Sequence, residues 1–306
     1  MNFVFFGQIV WSVIFACISM QSFGQHTLEF VQDGTSNSYP LRIPKGPTTA
    51  PQTLYFFRNL YGSMDKGVYY AKTARPLSVT FSFDDQAFVN VPQHNVGITF
   101  GAVSGASSTH VKVMPVVNTA YSFADTTRSI FTSHPDGPVG QGINLGMNPG
   151  VQVFLSAKPL ILNHAATTDT SRYYFGQLRL TFSRPVMNPV ISVVGLGATT
   201  NFKGKKLGFA TELELLTPGI SLLRLSGTKE LILDDTKTKV LHDKTPISGN
   251  CGGGAACGSL LVKGSGITSL TFGVYLRADG GPGTWGTAET VNSGDTWHMT
   301  LSLPDQ

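Results

Sequence analysis

Apolar side chains recur at every second position in several stretches of this chain. Leu77, Val79, Phe81 and Phe83 alternate with polar or small residues. So do Leu178, Leu180 and Phe182, then Leu270, Phe272, Val274 and Leu276, and finally Trp297, Met299, Leu301 and Leu303. A strand puts successive side chains on opposite faces, so this period buries one face and leaves the other free. Helical periodicity does not recur, and Asp65 to Tyr70 is the one stretch that reads as a short helix. Turn clusters punctuate the strands at Asp33-Gly34, Asp136-Gly137-Pro138, Asn148-Pro149-Gly150, Pro218-Gly219 and Gly280-Gly281-Pro282-Gly283. Pro185 and Pro189 cannot donate ladder hydrogen bonds, so a strand end, a loop and a new strand are expected there. The pattern predicts an all-β fold, an antiparallel β-sandwich or jelly roll. The loop-rich stretch from Ser133 to Pro149 predicts a boundary between a smaller β region, 26–135, and a larger one, 136–304. One extended sandwich is the alternative.

The N-terminus argues for export. Phe3 to Met20 is apolar with minor breaks at Gln8 and Ser12, and Ser22-Phe23-Gly24 then offers small residues at the two positions a signal peptidase reads. Residues 1–24 are expected to be a signal peptide, and the remainder to be secreted or held at the cell surface. A lipid-attachment role for Cys17 and an uncut anchor are the alternatives. No later apolar run reaches the roughly 20 residues of a membrane-spanning helix, so no transmembrane segment is expected after cleavage. Cleavage leaves Cys251 and Cys257, in Asn250-Cys251-Gly252-Gly253-Gly254-Ala255-Ala256-Cys257-Gly258. An even count in an exported chain favours a disulfide, with free thiols and a metal site as competing readings.

Net charge is +4, and no basic cluster exceeds Lys203, Lys205 and Lys206, which read as a solvated loop. Nucleic-acid binders concentrate positive charge in a patch, so nucleic acid is not expected as a partner. Catalytic sets are sought without success. There is no G-x-S-x-G, and Ser226-Gly227-Thr228-Lys229 matches S-x-x-K between strands rather than at a helix start. The seven histidines are not paired at metal-binding spacing. Glu212 and Glu214 share one strand face, as the two carboxylates of a glycosidase could, but nothing selects them. Asp279 and Asp295 sit at strand ends in glycine-rich turns, where loop carbonyls could complete a structural calcium site; a plain turn role is the alternative. Trp285, in Gly281-Pro282-Gly283-Thr284-Trp285-Gly286, is a candidate for ligand contact or for capping the core. Tyr55, Tyr61, Tyr69 and Tyr70 invite the same two readings.

The second half also resembles a known family. Arg172-Tyr173-Tyr174-Phe175-Gly176-Gln177-Leu178 is followed by Leu180-Thr181-Phe182-Ser183-Arg184-Pro185-Val186-Met187-Asn188-Pro189-Val190, Gly195-Leu196-Gly197 and Gly208-Phe209-Ala210-Thr211-Glu212-Leu213. Then come Leu225-Ser226-Gly227, the cysteine loop, Val274-Tyr275-Leu276-Arg277-Ala278-Asp279-Gly280-Gly281 and Gly294-Asp295-Thr296-Trp297. In this order the motifs resemble a β-rich module of large adhesin-like cell-surface proteins of Bacteroidetes bacteria. The resemblance implies surface location and β architecture. The leading expectation is a non-catalytic binding or adhesion module for a glycan or a surface protein. A secreted carbohydrate-active hydrolase on a jelly-roll scaffold is the alternative.

Overall fold

A computed structural model describes residues 27–30, 47–59, 70–71, 75–91, 96–104, 111–113, 116–118, 130–136, 149–167, 170–243, 251–286 and 293–304. The expected signal peptide, Tyr61, Tyr69 and most of the stretch expected as a helix lie outside them. In chain order the strands are β1 (Thr27–Phe30), β2 (Gln52–Asn59), β3 (Tyr70–Ala71), β4 (Ser78–Asp84), β5 (Ile98–Phe100), β6 (Ala102–Ser104), β7 (Val111–Val113), β8 (Val116–Asn118) and β9 (Pro149–Ser156). A short helix α1 (Lys158–Leu162) precedes β10 (Arg172–Val186), β11 (Val190–Leu196), β12 (Ala198–Phe202), β13 (Lys205–Leu215) and β14 (Ser221–Gly227). The remainder are β15 (Leu231–Leu233), β16 (Lys239–His242), β17 (Ala256–Lys263), β18 (Ile267–Ala278) and β19 (Gly294–Pro304). The break between β10 and β11 falls between Pro185 and Pro189, where neither imino nitrogen can donate.

The fold is all-β, with two antiparallel sheets packed face to face. The first runs β14–β17–β11–β19, and β19 is continued by β9 along one part and by β1 along another. The second runs β15–β16–β13–β18–β10–β4–β2, with β12 on the free half of β13. Strand β2 serves both sheets. Its Gln52–Tyr55 half pairs with β4, and its Phe56–Arg58 half pairs with β1. Strands from either side of residue 135 thus lie in the same two sheets.

The alternating residues meet between the sheets. Trp297, Met299, Leu301, Ile191 and Val193 project from one side, and Leu178, Leu180, Phe272, Val274 and Leu276 from the other. All belong to one apolar cluster, whose removal from water is the main source of stability. The outer face of the first sheet is also covered. Segment 130–136 lies on it, with Phe131 packed against Val194 and the disulfide loop. A set of hydroxyls fixes that segment. Ser259 Oγ accepts from Thr132 N–H at 2.9 Å, Thr132 Oγ1 bonds Ser226 Oγ at 2.9 Å, and Ser302 Oγ donates to Ser133 O at 2.7 Å.

Candidate functional site

The outer face of the second sheet is built differently. Its residues are those between the buried positions, and strand register lines them up in rows across the sheet. Thr53, Thr80, Thr181 and Ser269 form one row over four strands, with 2.9 Å between the Thr53 and Thr80 hydroxyls. Ser82, Arg179 and Thr271 form another, and Arg179 is ion-paired with Asp84 at 2.8 Å. Neighbouring strands lie about 4.8 Å apart, so these groups present a regular polar surface.

At one end the rows reach a charged network. Tyr174, Tyr275 and Glu212 are aligned by the pairing of β10, β18 and β13. Arg172 donates from Nε to Glu212 Oε2 at 2.7 Å and from Nη1 to Glu214 Oε2 at 2.9 Å. Arg277 Nε donates to the other oxygen of Glu212, and Lys239 Nζ is 3.7 Å from Glu214 Oε1. The Glu212 side chain is only 3% exposed, so its charge is placed where water cannot solvate it and two guanidinium groups must. The Arg172 guanidinium stacks 4.0 Å from the centre of the Tyr275 ring. Gly273 leaves room for that ring, since a β-carbon there would come within 3.1 Å of Tyr275 Cε2. Tyr174 tilts against Tyr275 at 5.4 Å and donates its hydroxyl to Asp85 Oδ2 at 2.7 Å. Burial, reinforced by Asp85, pushes the Tyr174 phenol up to about 12. Burial and the charge of Glu214 push Tyr275 up, against a smaller opposing pull from Arg172. Both phenols are therefore protonated donors at neutral pH.

The two glutamates that shared a strand face are thus brought together by Arg172. Their oxygens are held by cationic donors, an arrangement that fixes the charged surface. The S-x-x-K pair is not assembled either. Ser226 is buried and bonded to Thr132, while the Lys229 side chain is 84% exposed beside Glu230.

The remaining sequence candidates fall elsewhere. Cys251 and Cys257 lie at disulfide distance, with Cα atoms 5.5 Å apart, and Gly195 N–H points at Cys257 Sγ. Trp285, a candidate for ligand contact or for capping the core, packs inside the fold. The indole is 2% exposed, edge-on to Tyr173 at 6.0 Å and tilted against Phe209 at 5.8 Å, so neither face is open to a ligand. Tyr55 is 41% exposed on β2 at the rim of the hydroxyl rows.

Asp279 and Asp295, the calcium candidates, both accept backbone N–H groups. Asp279 accepts from Gly208 N–H at 3.1 Å and from Gly281 N–H at 2.8 Å. Asp295 is fully buried and accepts from Gly197 N–H at 3.0 Å and Thr211 N–H at 2.8 Å, linking the end of β11 to β13. Both carboxylates already hold N–H donors, which aim at the lone pairs a cation would need. Among the described residues no group of three or more His, Cys, Asp or Glu converges. Burial pushes the Asp295 carboxyl up to about 6, against the pull of Thr211, Gly197 and the charge of His242.

No protein-family model matches the chain, and no curated protein matches it. Among solved structures it is similar to the adhesin domain of PrgB from Enterococcus faecalis bound to DNA, at 11% identity and a TM-score of 0.31, over 90% of this chain and 74% of that one. The exclusion of nucleic acid drawn from the charge pattern is corrected by this finding: that domain was solved with DNA bound. A likeness at this TM-score fixes neither the fold nor the ligand of the present chain. Among the described residues no helix is long and apolar enough to cross a membrane, which says nothing of strands.

Proposed function

We propose that this chain is a non-catalytic binding module of the adhesion type, exported by residues 1–24 and presented outside the cytoplasm to a glycan or surface protein. The observation that carries the reading is the outer face of the second sheet. Hydroxyl rows there lead into a tyrosine–arginine platform whose side chains are already locked by Glu212, Glu214 and Gly273. Tyrosine and arginine are the residues that binding surfaces favour, and groups fixed before contact lose little entropy on binding. The motif series from Arg172 to Trp297, with its resemblance to Bacteroidetes adhesin-like modules, supports the same reading. The test is a glycan array with whole-cell adhesion, comparing the mature chain with Tyr275→Ala and Thr181→Arg. Retention that falls in both variants is expected. A mature chain silent in both formats, or variants that bind as well as the parent, would refute it.

A further inference from the structure

The hairpin of β12 and β13 ends in Phe202-Lys203-Gly204-Lys205-Lys206. Lys203 and Gly204 have φ of +49° and +77°. Two successive positive φ values make the tight turn whose twist suits paired strands. Register sets Phe202 opposite Lys205 and Asn201 opposite Lys206. Opposed residues share a face, so Lys205 emerges beside the Phe202 ring. Lys203 folds back to the same ring, its Nζ 5.3 Å from the centroid. All three lysines are exposed, and among the described residues none makes an ion pair.

The tip is braced from behind. The loop after β18 lies against the second edge of β13 at residues 206–208. Asp279 N–H donates to Gly208 O at 2.9 Å, and Gly283 N–H donates to Lys206 O at 3.0 Å. Asp279 Oδ2 accepts Gly208 N–H in return. The approach is so close that a β-carbon at Gly283 would lie 2.5 Å from Leu207 N. The Asp-Gly-Gly-Pro-Gly sequence thus acts as a backbone splint at the base of the tip.

We propose that this tip binds an anionic glycan, with the lysine ammonium groups meeting sulfate or carboxylate oxygens and the Phe202 ring packing on the apolar face of one sugar. Two cations, Lys203 and Lys205, flank one aromatic ring and Lys206 adds a third charge on the other face of the same tip; this suits a short run of charges carried on rings, and charge complementarity selects an acidic chain over a neutral one. This goes beyond the platform on the second sheet, since it uses different residues on a different element. The lysines, read from sequence as a solvated loop, are exposed on a hairpin whose backbone is braced at residues 206–208.

The experiment is biolayer interferometry of the mature chain on immobilised heparin, with uncharged dextran and a single-stranded DNA oligonucleotide as comparators. Heparin binding that weakens with added salt is expected, with none to dextran. Replacing Lys203, Lys205 and Lys206 together by Gln is expected to weaken it roughly tenfold or more, and Phe202→Ala about threefold. Thermal melts of each variant run alongside; the lysines are exposed and Phe202 is half-buried, so unchanged melting with lost affinity reports lost contact. No heparin binding at low salt, heparin binding unaffected by the lysine replacements, or equally tight binding of DNA would each overturn the proposal. Lys229→Gln, an exposed lysine outside both surfaces, serves as a control: it leaves heparin binding intact if the tip is the site. A parent silent on heparin but active on other glycans defeats this proposal and spares the platform.

Discussion

Asp295→Asn removes a charge from a place that water does not reach. The carboxyl is fully buried between the sheets, and burial holds it at about 6 against an ordinary value of 3.8. A carboxyl raised on folding binds its proton more tightly in the folded chain than in the unfolded one. Between those two values the folded state therefore carries the extra proton, and stability falls as pH rises. Below the lower value the contribution is fully present, and above the upper one it is lost. The linkage relation gives about 2 kcal/mol between pH 4 and pH 7 from this group alone. Asparagine does not titrate, and its amide oxygen in the Oδ2 place can accept from both Gly197 N–H and Thr211 N–H, so the variant keeps these bonds and loses the pH dependence. The assay is urea unfolding of both chains across pH 4–7. Other titrating groups are shared and cancel in the difference. The parent is expected to gain about 2 kcal/mol over the variant as pH falls from 7 to 4. A difference that stays flat over that range would show that the carboxyl is not held up by burial, and the reasoning fails.

His298 acts in the opposite sense. Burial pushes its imidazole down to about 4, so stability is lost as pH falls from 6.5 towards 4, and His298→Gln should reduce that loss in the same titration. Glu212→Gln strips one partner from two guanidinium groups and should cost about 3–5 kcal/mol in urea unfolding; a loss under about 1 kcal/mol would mean the network is solvated. Trp285→Ala should cost about 3–5 kcal/mol while leaving any glycan retention unchanged; lost retention in a stably folded variant would restore it as a contact residue. Melting curves in millimolar calcium and in chelator should coincide, and a calcium-dependent rise would reinstate a site at Asp279 or Asp295.

The architecture was legible because alternation is local. Leu77 to Phe83 and Leu270 to Leu276 announce which face of a strand is buried wherever the partner strand lies. Register is not local, and the platform depends on it. That Glu212 and Glu214 share a face can be read from their spacing, but that Arg172 joins them follows only from how β10, β18 and β13 are aligned. The packing of Trp285 was not legible because its glycine-rich neighbours mark only a loop, whereas Tyr173 and Phe209, which bury it, come from remote strands. Ser192, Ser259 and Ser302 occupy outward positions that suggest solvent contact, yet segment 130–136 lies across that face. Helix α1 has five residues, too few for a helical period to register.

Strand β1 runs antiparallel to β19, with Thr27 opposite Pro304 and Glu29 opposite Ser302. Both ends of the described chain therefore leave from one corner, and a tether at either would orient the hydroxyl face alike. A force pulling residue 27 away from residue 304 would meet the ladder end-on and peel it pair by pair, a weak geometry beside sliding the whole strand at once. Flow acting on a molecule held at one end alone would bypass that seam.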